Sequence, residues 1–137
     1  MKILFLGTGA ADYKIDQRVP GEEFRRYSSA LITSDNGEKL LIDPGPHIFD
    51  YTEMNDCPEI FDGLTGIIVT HSHPDHFSPK NAVKLLEKYD ADIYGDDAVS
   101  RKFIRENEKS GCTFNVSERF HIIRKAEKVN IGGFIVM

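Results

Sequence analysis

Three of the five histidines of this chain and one aspartate fall within six residues, His71-Ser72-His73-Pro74-Asp75-His76. The segment lies between two strong structural signals, and that placement constrains the fold more than any other feature. Before it, Gly66 to Thr70 is an apolar, β-branched run that reads as a buried strand. After it, Ser78-Pro79 is a helix start, a capping serine followed by a proline at the first helical position, where no N–H is needed. The pattern predicts a strand–loop–helix unit in which rigid elements hold the loop side chains from both ends. Neutral imidazole and carboxylate are donors that zinc, manganese or iron(II) accept. In an extended turn His71 and His73 can point the same way and share one ion, while Asp75 and His76 at the bend can swing to a second. A solvated, histidine-rich turn is the plain alternative, and the position between strand and cap argues against it.

The rest of the chain alternates strands with helices. Lys2 to Leu6 reads as a strand ended by Gly7-Thr8-Gly9, and Ala10 to Arg26 as a polar loop. Ser28 to Thr33 and Lys39 to Asp43 are β-rich runs joined through Ser34-Asp35-Asn36-Gly37, a hairpin signal, and Asp43-Pro44-Gly45-Pro46 stops the second. Ile48 to Met54 suits a short helix and Cys57 to Gly63 a connection. The helix from Ser78 carries an apolar face of Val83, Leu85, Leu86 and Tyr89. Ala91 to Tyr94 predicts a strand closed by Gly95. Asp96 or Asp97 then caps a helix to about Lys109, with Val99, Phe103 and Ile104 inward and Arg101, Arg105 and Lys109 outward. Arg119 to Arg124 and Lys128 to Met137 are two further strands. The order implies an α/β layered architecture, and 137 residues suffice for one domain over 1–137.

Composition narrows the function. Lysine and arginine number 17 against 22 aspartate and glutamate, a net charge of −5, so no global positive field exists to hold a nucleic acid without local grips. No apolar run approaches the roughly 18 residues of a membrane span, and none resembles a secretory signal. Cys57 and Cys112 are far apart and outside any Cys-x-x-Cys pattern, which suggests plain thiols in a reducing, cytoplasmic setting.

His71-Ser72-His73-Pro74-Asp75-His76 resembles the His-x-His-x-Asp-His signature of the metallo-β-lactamase superfamily, hydrolases with an αββα sandwich. Leu41-Ile42-Asp43-Pro44-Gly45 is similar to that family's strand-end aspartate turn. Gly7-Thr8-Gly9 with Arg26-Tyr27-Ser28-Ser29-Ala30-Leu31 resembles the opening of its phosphodiesterase branch, which includes tRNA 3′-processing nucleases and cyclic-phosphate diesterases. The resemblance implies two ions, Zn2+ or else Mn2+ or Fe2+, with His71 and His73 on the first, Asp75 and His76 on the second, and Asp43 as a structural acid beside them. It implies hydrolysis of a small phosphodiester or an RNA end by a metal-activated water that Asp75 orients, with no membrane partner. Thioester or lactam hydrolysis is the rival within the fold, and a non-catalytic metal-binding fragment the rival outside it. Histidine rather than glutamate at position 73 favours the hydrolytic members over the di-iron oxidoreductases.

The family's further ligands follow a strand that Val129 to Met137 resembles, so the chain reads as an N-terminal half of the sandwich, incomplete as it stands. Such a half is expected to expose the inner face of its sheet, through Leu4, Leu6, Leu31, Ile42, Ile68 and Ile135 or their strand neighbours, and an edge at Val129 to Met137. A homo-oligomer through that face or edge would cover both.

Other residues carry weaker signals. Gly7-Thr8-Gly9 lacks the third glycine of a dinucleotide fingerprint, since Asp12 stands there, and reads as a backbone turn. His47 reads as a loop histidine, with a cleft-lining role as the alternative, and His121 as a sheet residue. Arg25 and Arg26 suit a phosphate or a solvated loop equally. Arg101, Lys102, Arg105 and Lys109 read as a solvated helix face.

Overall fold

A computed structural model of the chain describes residues 1–9, 26–111 and 114–137. Most of the expected 10–26 loop, with Arg25, and Cys112 lie outside the described residues. Six strands form one sheet in chain order: β1 (Lys2–Gly7), β2 (Ser29–Thr33), β3 (Lys39–Ile42), β4 (Leu64–Ile68), β5 (Asp92–Gly95) and β6 (Phe120–Ile122). The first three pair antiparallel, the predicted hairpin included, and β3 through β6 run parallel. Helices α1 (Ile48–Met54), α2 (Pro79–Lys88), α3 (Asp97–Ser110) and α4 (Val116–Arg119) lie between strands, and a 3-10 turn covers Pro58–Phe61. The observed α/β architecture matches the expected fold class.

The register explains the core. Leu4, Leu31, Leu41, Ile67, Ile93 and Phe120 pair in one row across all six strands. Leu6 and that row pack against Ile48 of α1, Ala82, Leu85 and Leu86 of α2, and Val99 and Phe103 of α3. Side chains alternate across a strand, so the next row, Phe5, Ala30, Ile42, Ile68, Tyr94 and His121, faces the opposite way. The open face carries part of the expected set. Leu6 and Leu31 are instead buried under the helices and Leu4 packs against that core, while their strand neighbours Ile3 and Phe5 are 55% and 64% exposed and Ile135 is 62% exposed. Ile42 and Ile68 lie in the open-face row and are half-buried.

Two further expectations are corrected. Lys128 to Met137 is not one strand. Gly132, at φ 53°, turns it into a hairpin of β7 (Val129–Ile131) and β8 (Phe134–Val136). Buried Ile131 lies over Gly66 and Leu40, at a spot where a side chain at 66 would collide with it. Ile104 is not inward but 38% exposed, because Val99, Phe103 and Asn107 already occupy the buried stripe of α3.

Candidate metal centre

Parallel strands β3 and β4 end side by side, and the site grows from their carboxyl ends, where α/β sheets place their ligands. Asp43 follows β3 with its amide donating to the Ile68 carbonyl at 2.8 Å. Its φ of 57° is a left-handed conformation that aspartate tolerates better than most side chains, and it is 5% exposed. The donor loop follows β4. It is closed internally by the His76 and Phe77 amides donating to the His73 carbonyl, and externally by Ser78 N–H donating to Pro44. The Ser78 side chain caps α2 by accepting from Asn81 N–H, as expected, and the buried Asn81 amide donates to the carbonyls of Gly45 and Pro46. Gly45 has no Cβ for a reason: one there would stand 2.7 Å from the Asp75 carbonyl oxygen.

Within this frame one donor atom each from His71, Asp75 and His76 lie within 4.8 Å of one another. The rings of His71 and His76 are 4.1 Å apart between centroids, and His76 Nε2 is 3.2 Å from the Asp75 carboxylate. His73 stands beside this triplet, with its exposed ring edge-on to His71 at 4.6 Å.

A chain of hydrogen bonds behind the triplet orients both inner histidines. Thr70 N–H donates to Asp43 Oδ1 at 2.7 Å, and the Thr70 hydroxyl reaches both carboxylate oxygens at 2.8 and 2.9 Å. That hydroxyl has one proton, and the carboxylate takes it. Its oxygen, 2.9 Å from His71 Nδ1, then accepts from an Nδ1–H. His76 Nδ1 lies 2.7 Å from Asp43 Oδ2 and donates to it. Both rings are thereby held through Nδ1, which leaves Nε2 as the atom to bind a metal. This donor chemistry fits a divalent transition ion, three ligands being the protein set usual for a catalytic zinc. Asp43 is close to the site, as the resemblance implies. Thr70 was not expected, although the residue joining a buried strand to its first donor is placed to orient that donor.

Other predicted residues fall elsewhere. Arg26 Nε donates to the Leu6 carbonyl at 2.8 Å and its guanidinium stacks on Tyr51, so it anchors the end of β1. His47 Nδ1 accepts from Tyr27 N–H at 3.2 Å, and burial pushes its pKa below the ordinary value, with Arg26 adding to that and Asp50 opposing it. His121 sits on the open face, stacked on Tyr94 and 2.7 Å from Asp92. Lys102 leaves the expected solvated face and donates to Ser72 and Phe77 of the donor loop. Burial lowers its pKa, while Glu106 and Asp75 work to raise it.

The family model described as Anti-Pycsar protein Apyc1 matches residues 1–126. The chain belongs to that family. A relative from Bacillus phage vB_BveM-Goe7, itself named Anti-Pycsar protein Apyc1, is 35% identical over 88 residues, which are 64% of this chain and 30% of the relative. The chain thus matches about a third of the length of that relative. Among solved structures, human tRNase Z, short form, superposes with a TM-score of 0.63 at 23% identity over 89% of this chain and 43% of that one. Zn2+-bound PqqB from Methylobacterium extorquens gives 0.69 at 15% over 94% and 48%. The metallo-β-lactamase fold protein YhfI from Bacillus subtilis gives 0.62 at 19% over 97% and 49%. The fold of this Apyc1-family chain is that of the metallo-β-lactamases. No helix among the described residues is long and apolar enough to cross a membrane.

Proposed function

We propose that this family member acts in metal-dependent hydrolysis of a small phosphodiester, with His71, Asp75 and His76 holding the ion. The observation that carries the reading is the convergence of these three donors within 4.8 Å, with Nδ1 of both histidines held from behind by Thr70 and Asp43. Zinc, manganese or iron(II) all suit imidazole and carboxylate, and zinc is the ion bound in the PqqB structure. The sequence motif implies a second ion, with His71 and His73 on one and Asp75 and His76 on the other; the geometry instead groups His71 with Asp75 and His76, with His73 beside them as a further donor. A divalent ion bound there supplies Lewis-acid polarisation of a phosphoryl oxygen and a more acidic water. The chain's own residues do the rest. Asp43 and Thr70 hold the histidines, and Asp75 accepts a hydrogen bond from the attacking water and aims it at phosphorus.

The net charge of −5 favours a small diester over a polyanionic RNA end, since each backbone phosphate would need a local cation. The family description, Anti-Pycsar, is consistent with a cyclic nucleotide as that diester. The test is metal uptake by equilibrium dialysis, followed by assays of a cyclic nucleotide, a short RNA, a lactam and a thioester in added Mn2+ or Zn2+. Preferential loss of the cyclic nucleotide is expected. Preferential hydrolysis of the lactam or thioester would transfer the site to that chemistry, and uptake with no turnover on any of the four would make the chain a metal-binding fragment.

A further inference from the structure

Lys102 lies on α3 one residue before Phe103, which is fully buried, and α3 itself is capped by the Asp96 carboxylate accepting from Val99 N–H at 2.9 Å. The backbone of Lys102 is therefore fixed, and its ammonium reaches out of the helix layer to the donor loop. It donates to the Ser72 carbonyl at 2.7 Å and to the Phe77 carbonyl at 3.3 Å. It also stands 5.5 Å from the centroid of the buried Phe77 ring. Ser72 separates His71 from His73, and Phe77 directly follows His76. One cation thus bonds to the loop on both sides of Asp75.

We propose that Lys102 is a positioning residue of the metal site, a clamp from α3 that holds the loop closed so that His71, Asp75 and His76 converge. This rests on reading the loop as a metal centre. The loop has few bonds of its own, chiefly the two amides on the His73 carbonyl and the Ser78–Pro44 bond. Without the clamp, Ser72 would be tied only through its neighbours, and the spacing of His71 and His76 would rest on their Nδ1 bonds to Thr70 and Asp43. A charge-assisted bond to a backbone carbonyl is stronger than a neutral one, and it acts on the loop without occupying a ligand position.

Lys102→Met keeps the aliphatic stem over Phe77 and removes the donors, while Lys102→Arg restores donors that can reach both carbonyls. Two readouts on the 137-residue chain test the clamp. Hydrogen exchange of the metal-free chain is expected to quicken at the Phe77 and Ser78 amides in Lys102→Met and to return toward wild type in Lys102→Arg. Titration with Co2+ is expected to show uptake weakened about 10-fold in Lys102→Met, with an altered d–d spectrum, and both restored by arginine. Unchanged exchange overturns the clamp. Faster exchange with unchanged Co2+ affinity and spectrum overturns the positioning role. Wild-type chain that takes up no Co2+, while exchange still responds to Lys102→Met, overturns the metal reading and the positioning role with it, leaving only a structural tie.

Discussion

Thr70 donates its single hydroxyl hydrogen bond to Asp43, so toward His71 its oxygen is left to accept from Nδ1–H. Valine has nearly the same shape and no hydroxyl. Thr70→Val should therefore leave the fold in place yet let His71 choose either tautomer, and metal affinity, read by competition with a chromophoric chelator, should fall roughly 10- to 100-fold. Serine at 70 should recover most of it. Asp75→Asn keeps the shape but loses the charge that holds the ion, so it should cost far more uptake than His47→Ala, whose ring serves the Tyr27 amide. Equal losses would mean the donors are arranged differently. His47 has its own signature in pH. Burial depresses its folded pKa, so its contribution to stability is present above the unfolded value of about 6.5 and is lost as pH falls through the lower folded value. The urea midpoint of the metal-free chain should drop on that acid limb, and His47→Asn, which keeps an acceptor for Tyr27 without titrating, should flatten the drop.

At the scale of elements, the parts of the fold governed by local chemistry were legible in the sequence. The Asn36-Gly37 turn, the Ser78 and Asp96 caps and the strand leading into His71 all stand where residue pattern places them. The donor loop was legible because four ligand-type residues in six have few other uses, and three of them, His71, Asp75 and His76, converge in the fold. What local pattern could not show was long-range contact. Lys102 looks like any helix-surface lysine until α3 is packed beside the donor loop, and Thr70 looks like the last residue of a strand until Asp43 is brought across from β3. Lys128 to Met137 reads locally as one strand, because the seat that lets it fold over, Gly66 beneath Ile131, is a long-range contact. That contact yields a prediction. A Cβ at position 66 would lie 2.2 Å from Ile131 Cγ2, so Gly66→Ala should expel the β7–β8 hairpin and uncover Leu40. Exchange should rise over 129–136, at a stability cost of about 1–3 kcal/mol for the overpacked contact, with little change at the His71–His76 loop.

For the whole molecule, the decisive asymmetry is that helices cover one face of the six-stranded sheet, while the described residues cover the other only where the hairpin lies. Ile3 and Phe5 stand more than half exposed on that second face, in rows that continue through Ile32 and through Ala30, Ile42 and Ile68. Fully burying one such side chain is worth about 1.5–3 kcal/mol, so a partner surface of the same kind gains from several at once. Strands β6 and β8 are three residues each, too short to template an extended pairing, and the long edge, β1 with six residues, is the strand that carries Ile3 and Phe5. A second copy of this chain stacked face to face is therefore the expected associate, and the face rather than the short edges is where it should be sensitive. Sedimentation velocity of the 137-residue chain should show dimer or larger species that dissociate on dilution. Ile3→Lys with Phe5→Lys should give monomer, because two ammonium groups on that face cannot be buried without partners. Ile135→Lys, on the short hairpin, should change little. A wild-type chain that sediments as a monomer at every concentration would show that the apolar rows are tolerated in water, and association retained in the double lysine variant would move the contact away from β1 and its face.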